Sequence, residues 1–224
     1  MRLRLCMNTA DPGRMIDLRP SKIIGIGQNY RAHAAEMGKP LPREPLMFLK
    51  PPSALIGDGE AIARPAGYAR VDHEGELGVV IGERCVHVPV ARALDMVMGF
   101  TCVNDVSVRE LQQQDGQWTR AKGFDTFCPL GPRIVSGLDP HDLRVVTRVG
   151  GVVRQDSSTS DLIFDVATLI AFVSAHMTLE PGDVISTGTP AGVGNLAVGD
   201  VVEVEISGVG VLRNPVVARD VPPS

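Results

Sequence analysis

Val201-Val-Glu-Val-Glu-Ile-Ser-Gly-Val-Gly-Val-Leu-Arg213 alternates apolar and acidic side chains through its first half. A period of two marks a strand with one buried face and one wet face. Ser207-Gly208 is a turn pair, so residues 201–206 and 209–213 read as two arms of a hairpin. Upstream, residues 145–149 and 152–155 flank Gly150-Gly151, which predicts a second hairpin of the same kind.

Short apolar runs at 21–27, 47–49, 76–81, 100–103 and 184–187 add further strands, bounded by glycine or proline. Helices are fewer. Residues 166–176 carry Val166, Leu169, Ile170 and Val173 on one stripe, with Asp165 placed to cap them. Shorter helices are predicted at 29–37, 91–97 and 106–114. Strand and helix do not alternate regularly, so the fold class is α+β on a β core, not a doubly wound sheet. Residues 1–20 read as a short lead-in, and 21–224 as one domain.

Composition narrows the function. The chain has 224 residues, 24 of them Gly and 17 Pro, and a formal charge of −4. No run of Lys or Arg offers a nucleic-acid surface. No apolar stretch approaches the roughly 18 residues of a membrane helix, and residues 1–11 lack the core of a signal peptide. Cys6, Cys85, Cys102 and Cys128 have no CxxC spacing, which argues against zinc and for reduced thiols in a cytoplasmic protein. Gly25-Ile-Gly27 fails as a dinucleotide fingerprint because Tyr30 stands where the third glycine belongs.

His73-Glu-Gly-Glu76 precedes an apolar strand. Residues two apart on an extended chain share a side, so Glu74 and Glu76 bring two carboxylates together. Such a pair repels itself unless a cation lies between, and hard oxygen ligands favour Mg²⁺, Mn²⁺ or Ca²⁺. Solvated strand carboxylates are the plain alternative. Asp105 ends a buried run and needs a partner there, or serves as a helix cap. His33 and Glu36, three apart on a helix, pair as a general base with its carboxylate or as a surface ion pair. Lys122, between Trp118 and Phe124, is a candidate for an anionic substrate group or a solvated lysine.

Six stretches appear in order: Ile24-Gly-Ile-Gly-Gln-Asn-Tyr30, Phe48-Leu-Lys-Pro51, His73-Glu-Gly-Glu-Leu77, Gly99-Phe-Thr-Cys-Val-Asn-Asp105, Lys122-Gly-Phe-Asp-Thr126 and Thr187-Gly-Thr-Pro-Ala-Gly-Val193. Together they resemble the fumarylacetoacetate hydrolase family over roughly residues 21–217, most closely its short single-domain members. The resemblance implies a mixed β-sandwich roll, usually a homodimer, with Glu74, Glu76 and Asp105 holding Mg²⁺ or Mn²⁺. It implies His33 and Glu36 as the catalytic dyad, Lys122 at the 2-oxo acid end of the substrate, and Thr189 near its carboxylate. Gln112 matches a pocket-lining position. Gln28 and Tyr30 are candidates for substrate contact, and Gln28 departs from the Arg or Leu common there.

The implied activity is on small 2-oxo acids. Hydrolysis of the C–C bond of an acylpyruvate, through a metal-stabilised pyruvate enolate, ranks first because the dyad suits water activation. Oxaloacetate decarboxylation, tautomerisation and isomerisation of 2-hydroxyhepta-2,4-diene-1,7-dioate use the same enolate. A metal- or ligand-binding protein without turnover is the rival from another class.

Overall fold

The computed structural model describes residues 2–8, 14–36, 38 and 40–219. A nine-stranded mixed sheet runs in the order Arg14–Leu18, Leu3–Asn8, Cys128–Val135, Val97–Asn104, Gly75–Ile81, Val184–Ser186, Ile23–Gly27, Leu46–Lys50, with Leu55–Ile56 pairing off Cys128–Val135. A five-stranded sheet runs Val152–Ser158, Arg144–Val149, Val201–Ile206, Gly210–Ala218, Ile62–Arg64. A small third sheet joins Ser107–Val108, Val71–His73 and Gly194–Asn195. This is the α+β, β-sandwich architecture the sequence predicts.

The two large sheets face each other. Leu77, Val79, Phe100 and Cys102 of one, and Val145, Val204, Ile206 and Leu212 of the other, belong to a single apolar cluster. The alternation quoted above explains the second set. Val202, Val204 and Ile206 are buried while Glu203 and Glu205 are partly exposed. Each fully buried Val, Leu or Ile of this kind contributes about 1.5–3 kcal/mol.

Both hairpins form. Gly150 and Gly151 have φ of 58° and 79°, the left-handed pair that a two-residue turn demands. The other turn takes in Val209 as well, so its second strand starts at Gly210. Helix Val166–His176 has the predicted bounds, and the Asp165 carboxylate accepts from the backbone N–H of Thr168 at 2.8 Å.

Three expectations differ from the structure. Residues 1–20, read as a lead-in, contain Leu3–Asn8 and Arg14–Leu18, an antiparallel pair at the edge of the large sheet; residues 9–13 lie outside the described residues. The predicted helix at 29–37 is described as Arg31–Glu36, with Met37 outside the described residues. The helix predicted from 106 begins at Arg109 after a two-residue strand, and Val108 is its N-cap residue. Asp105 therefore caps nothing.

Asp183 fixes the sheet's start. It is fully buried, and its carboxylate accepts from the backbone N–H groups of Ser21 (2.8 Å), Lys22 (3.1 Å) and Glu180 (2.8 Å), and from Lys22 Nζ at 2.5 Å. Burial alone would raise its pKa; these donors outweigh burial and lower it. A depressed carboxylate contributes stability that is present above its unfolded pKa and lost as pH falls through the folded one. Asp183→Asn is expected to lower the melting temperature at neutral pH by an amount matching about 3–5 kcal/mol. The gap to wild type should narrow as pH falls towards about 3. Thermal melts across that range test this, and a gap independent of pH would contradict it.

Candidate active site

Strand register builds the acidic trio. Gly75–Ile81 pairs antiparallel with Val97–Asn104, and Gly75 lies opposite Asn104. Glu74 and Asp105 therefore sit side by side just beyond the ladder, where the Asp105 N–H donates to the Glu74 carbonyl at 2.9 Å. The Asn104 side chain accepts from the Glu74 N–H at 2.9 Å and holds this corner. Glu76, two residues along, projects to the same side. Each of Glu74, Glu76 and Asp105 offers a carboxylate oxygen within 4.8 Å of the others, and all three are buried.

Positive charge surrounds them. Lys122 Nζ lies 2.6 Å from Glu74 and 2.5 Å from Asp105, and 5.0 Å from the centre of the Phe48 ring. Lys50 Nζ pairs with the other Asp105 oxygen at 2.5 Å. Arg109 reaches Glu74 at 2.6 Å and Asp72 at 2.7 Å, and Arg70 also pairs with Asp72 at 2.9 Å. Ser186 Oγ (2.6 Å) and the Gly188 N–H (2.8 Å) donate to Glu76.

The carboxylates respond differently to this setting. Burial pushes Glu74 up, but Lys122 and then Arg109 override it and hold the group well below the usual carboxylate range. Glu76 is pushed up to about 8 by burial and by the charges of Asp105 and Glu74. Burial draws Lys122 down, yet Asp105 and Glu74 hold it above its ordinary value. Lys122 is thus the cation that Glu74 and Asp105 share. A buried set of three crowded oxygen donors, one of them reluctant to ionise alone, fits a hard divalent cation.

A cavity of about 700 Å³, within the range for small ligands, opens on Glu74 and Glu76, the two members of the trio that line it. Its lining brings together Glu74, Glu76 and Lys122 with His33, Glu36, Gln28, Gln112 and Thr189. His33 Nδ1 lies 3.1 Å from Glu36, and the imidazole is buried while the carboxylate is exposed. A proton on Nδ1 directed at Glu36 leaves Nε2 as the free lone pair. The left-handed φ of Gln28, 57°, sits where Asn29 turns inward to bind Thr187 and Phe164. Gln112 accepts from Arg109 at 2.7 Å, as neighbours three apart on a helix can.

Two sequence expectations are modified. Tyr30, a candidate for substrate contact, is fully buried and absent from the cavity wall; its place is the seam where it bridges to Leu162. The Thr189 hydroxyl lines the cavity but already donates to the Gly75 carbonyl at 3.0 Å, so that proton is not free for a substrate carboxylate. Arg109 and Arg70 are functional-site residues that the sequence does not flag, nor does it assign Lys50 a role; Trp118, which flanks Lys122 in sequence, also lines the cavity. Arg109 had one legible signal, its place three residues before Gln112 on a predicted helix.

Fold and site together define a β-roll protein with a buried carboxylate trio that could hold a divalent cation, beside a small-molecule cavity. The sequence profile described as fumarylacetoacetate (FAA) hydrolase C-terminal matches residues 22–217, and the chain belongs to that family. An uncharacterized protein of Archaeoglobus fulgidus is 58% identical over 90% of this chain and 80% of its own length. The crystal structure of 5-carboxymethyl-2-hydroxymuconate delta-isomerase from Mycobacterium smegmatis is 50% identical, with a TM-score of 0.87 over 93% of this chain and 87% of that one. Fumarylpyruvate hydrolase from Pseudomonas aeruginosa, in complex with Mn²⁺ and pyruvate, is 30% identical, with a TM-score of 0.89 over 97% of both chains. Among the described residues no helix is long and apolar enough to cross a membrane.

Proposed function

We propose that this chain is a divalent-cation-dependent enzyme acting on small 2-oxo acids, and that its main reaction is hydrolysis of the C–C bond of an acylpyruvate. The observation that carries this reading is that the His33–Glu36 pair lines one cavity with Glu74 and Glu76, whose carboxylates cluster with that of Asp105. Glu74, Glu76 and Asp105 would hold Mg²⁺ or Mn²⁺, which supplies Lewis-acid stabilisation to the keto and carboxylate oxygens of a 2-oxo acid.

The chain's own groups account for the rest. Lys122 keeps a fixed positive charge beside the trio, where negative charge gathers as the bond breaks. Arg109, clamped by Asp72 and Glu74, positions Gln112 at the cavity wall. His33 Nε2 takes a proton from water, and Glu36 balances the imidazolium that forms. The new C–O bond forms at the distal carbonyl. The C–C electron pair passes to the pyruvate fragment, which leaves as its enolate and regains a proton.

A second reading has support in the 50% identical isomerase. In it His33 carries a proton from the 2-hydroxyl of a 2-hydroxy-diene diacid to its C5 as the double bonds shift and the 2-oxo group forms, and no water is consumed. Decarboxylation of oxaloacetate needs the trio and Lys122 but not the dyad.

Pyruvate release from acetylpyruvate and from oxaloacetate, assayed side by side, tests the proposal. Turnover of acetylpyruvate is expected to exceed that of oxaloacetate, to stop with EDTA and to return with Mg²⁺ or Mn²⁺. Faster release from oxaloacetate would make the chain a decarboxylase, and enol loss without pyruvate a tautomerase or isomerase. Turnover indifferent to EDTA would overturn the cation assignment.

A further inference from the structure

Gln155 takes no part in the chemistry above, yet it touches both loops that frame the site. It lies on Val152–Ser158, directly opposite Thr147 in the hairpin register. Its side chain is 1% exposed, and both of its polar atoms are in use. Oε1 accepts from the Gly75 N–H at 3.0 Å and from His73 Nδ1 at 3.2 Å. Nε2 donates to Thr189 Oγ1 at 2.7 Å and to the Pro190 carbonyl at 2.8 Å. Thr189 Oγ1 closes the ring by donating to the Gly75 carbonyl.

The sheet presses close against both loops. A Cβ on Gly75 would come within 2.0 Å of Thr147 Oγ1. A Cβ on Gly192 would come within 2.1 Å of the Arg154 carbonyl. Two glycines therefore let one segment of the five-stranded sheet seat the Glu74–Glu76 loop on one flank and the 188–193 loop on the other. The second loop continues to the dyad, because the Gly192 N–H points at Glu36 over 3.4 Å.

We propose that Gln155 is a positioning residue: it sets the carboxylates of the Glu74–Glu76 loop against the Thr189–Gly192 loop, and so fixes cation affinity and substrate placement together. The inference rests on the reading of the trio as a cation site. A buried glutamine with a purely structural role would affect folding alone, whereas hydrogen-bond partners standing behind metal ligands typically change metal affinity by about 10–100-fold.

Two variants separate its halves. Gln155→Met keeps the length and loses all four hydrogen bonds. Gln155→Glu keeps the acceptor for Gly75 and His73 but sets a carboxylate against the Pro190 carbonyl. Calorimetric titration of the metal-free full chain with Mn²⁺, alongside kcat, KM and thermal melting, reads both. Gln155→Met is expected to raise the Mn²⁺ Kd about tenfold or more. Gln155→Glu is expected to hold the Kd near wild type while raising KM about tenfold, and it carries the test if the Met variant does not fold. Wild-type Kd, kcat and KM in both folded variants, with only a lower melting temperature, would overturn the inference and leave the cation site standing. A wild-type chain that takes up no Mn²⁺ would overturn both.

Discussion

Asp105→Asn is expected to reduce cation-dependent turnover on the order of 10³-fold or more, because it removes one of three charges from a preorganised electrostatic site. The replacement keeps shape and volume, so the effect isolates charge. Asp105 is 1% exposed and is the shared counter-ion of Lys50 and Lys122, each 2.5 Å away. With asparagine in place, Lys50 loses its partner carboxylate and Lys122 keeps only Glu74. Breaking a buried pair in this way costs about 3–5 kcal/mol of stability. Activity must therefore be read on the folded fraction. The sharper readout is the rise in melting temperature on adding Mn²⁺. A ligand bound at a hundred times its Kd stabilises by about 2.7 kcal/mol, and that increment is expected to vanish in the variant. An Asn variant that melts lower but gains as much from Mn²⁺ as wild type would remove Asp105 from the ligand set.

Local pattern made most strands and the long helix legible, because alternation, turn pairs and an aspartate cap each act within a few residues. Cys128–Val135 was not legible. It contains Pro129, Gly131 and Pro132, which argue against a strand, yet it pairs with three neighbours and its register shifts between Gly131 and Val135. The Leu3–Asn8 strand was hidden for a related reason: besides its neighbour Arg14–Leu18, what ties it into the large sheet is Cys128–Val135, more than a hundred residues away. In the site, the carboxylate pair was readable because spacing on a strand fixes which side a residue faces. Lys50 and Arg109 were not, since a lone cation in sequence does not reveal which buried carboxylate the fold will set beside it. Gln155 carried no signal at all. A polar residue on a half-wet hairpin strand looks solvated until the 188–193 loop covers it.

His33→Ala is expected to lower kcat for acetylpyruvate hydrolysis by about 10²–10⁴-fold, the usual range for losing a positioned general base. Mn²⁺ affinity should stay near wild type, since the imidazole pairs with Glu36 and not with the trio. The same variant separates the chemical readings. Decarboxylation breaks a C–C bond without water, so its rate should hardly change if the cation and Lys122 do that work alone. Isomerisation moves a proton from the enol oxygen to carbon and should fall with hydrolysis. Measured on acetylpyruvate, oxaloacetate and a 2-hydroxy-diene diacid, the pattern of losses therefore reports which step His33 serves. Equal retention on all three would show that the dyad, however well placed, does not carry the proton; a weaker Mn²⁺ site in the variant would show instead that His33 belongs to the cation's surroundings.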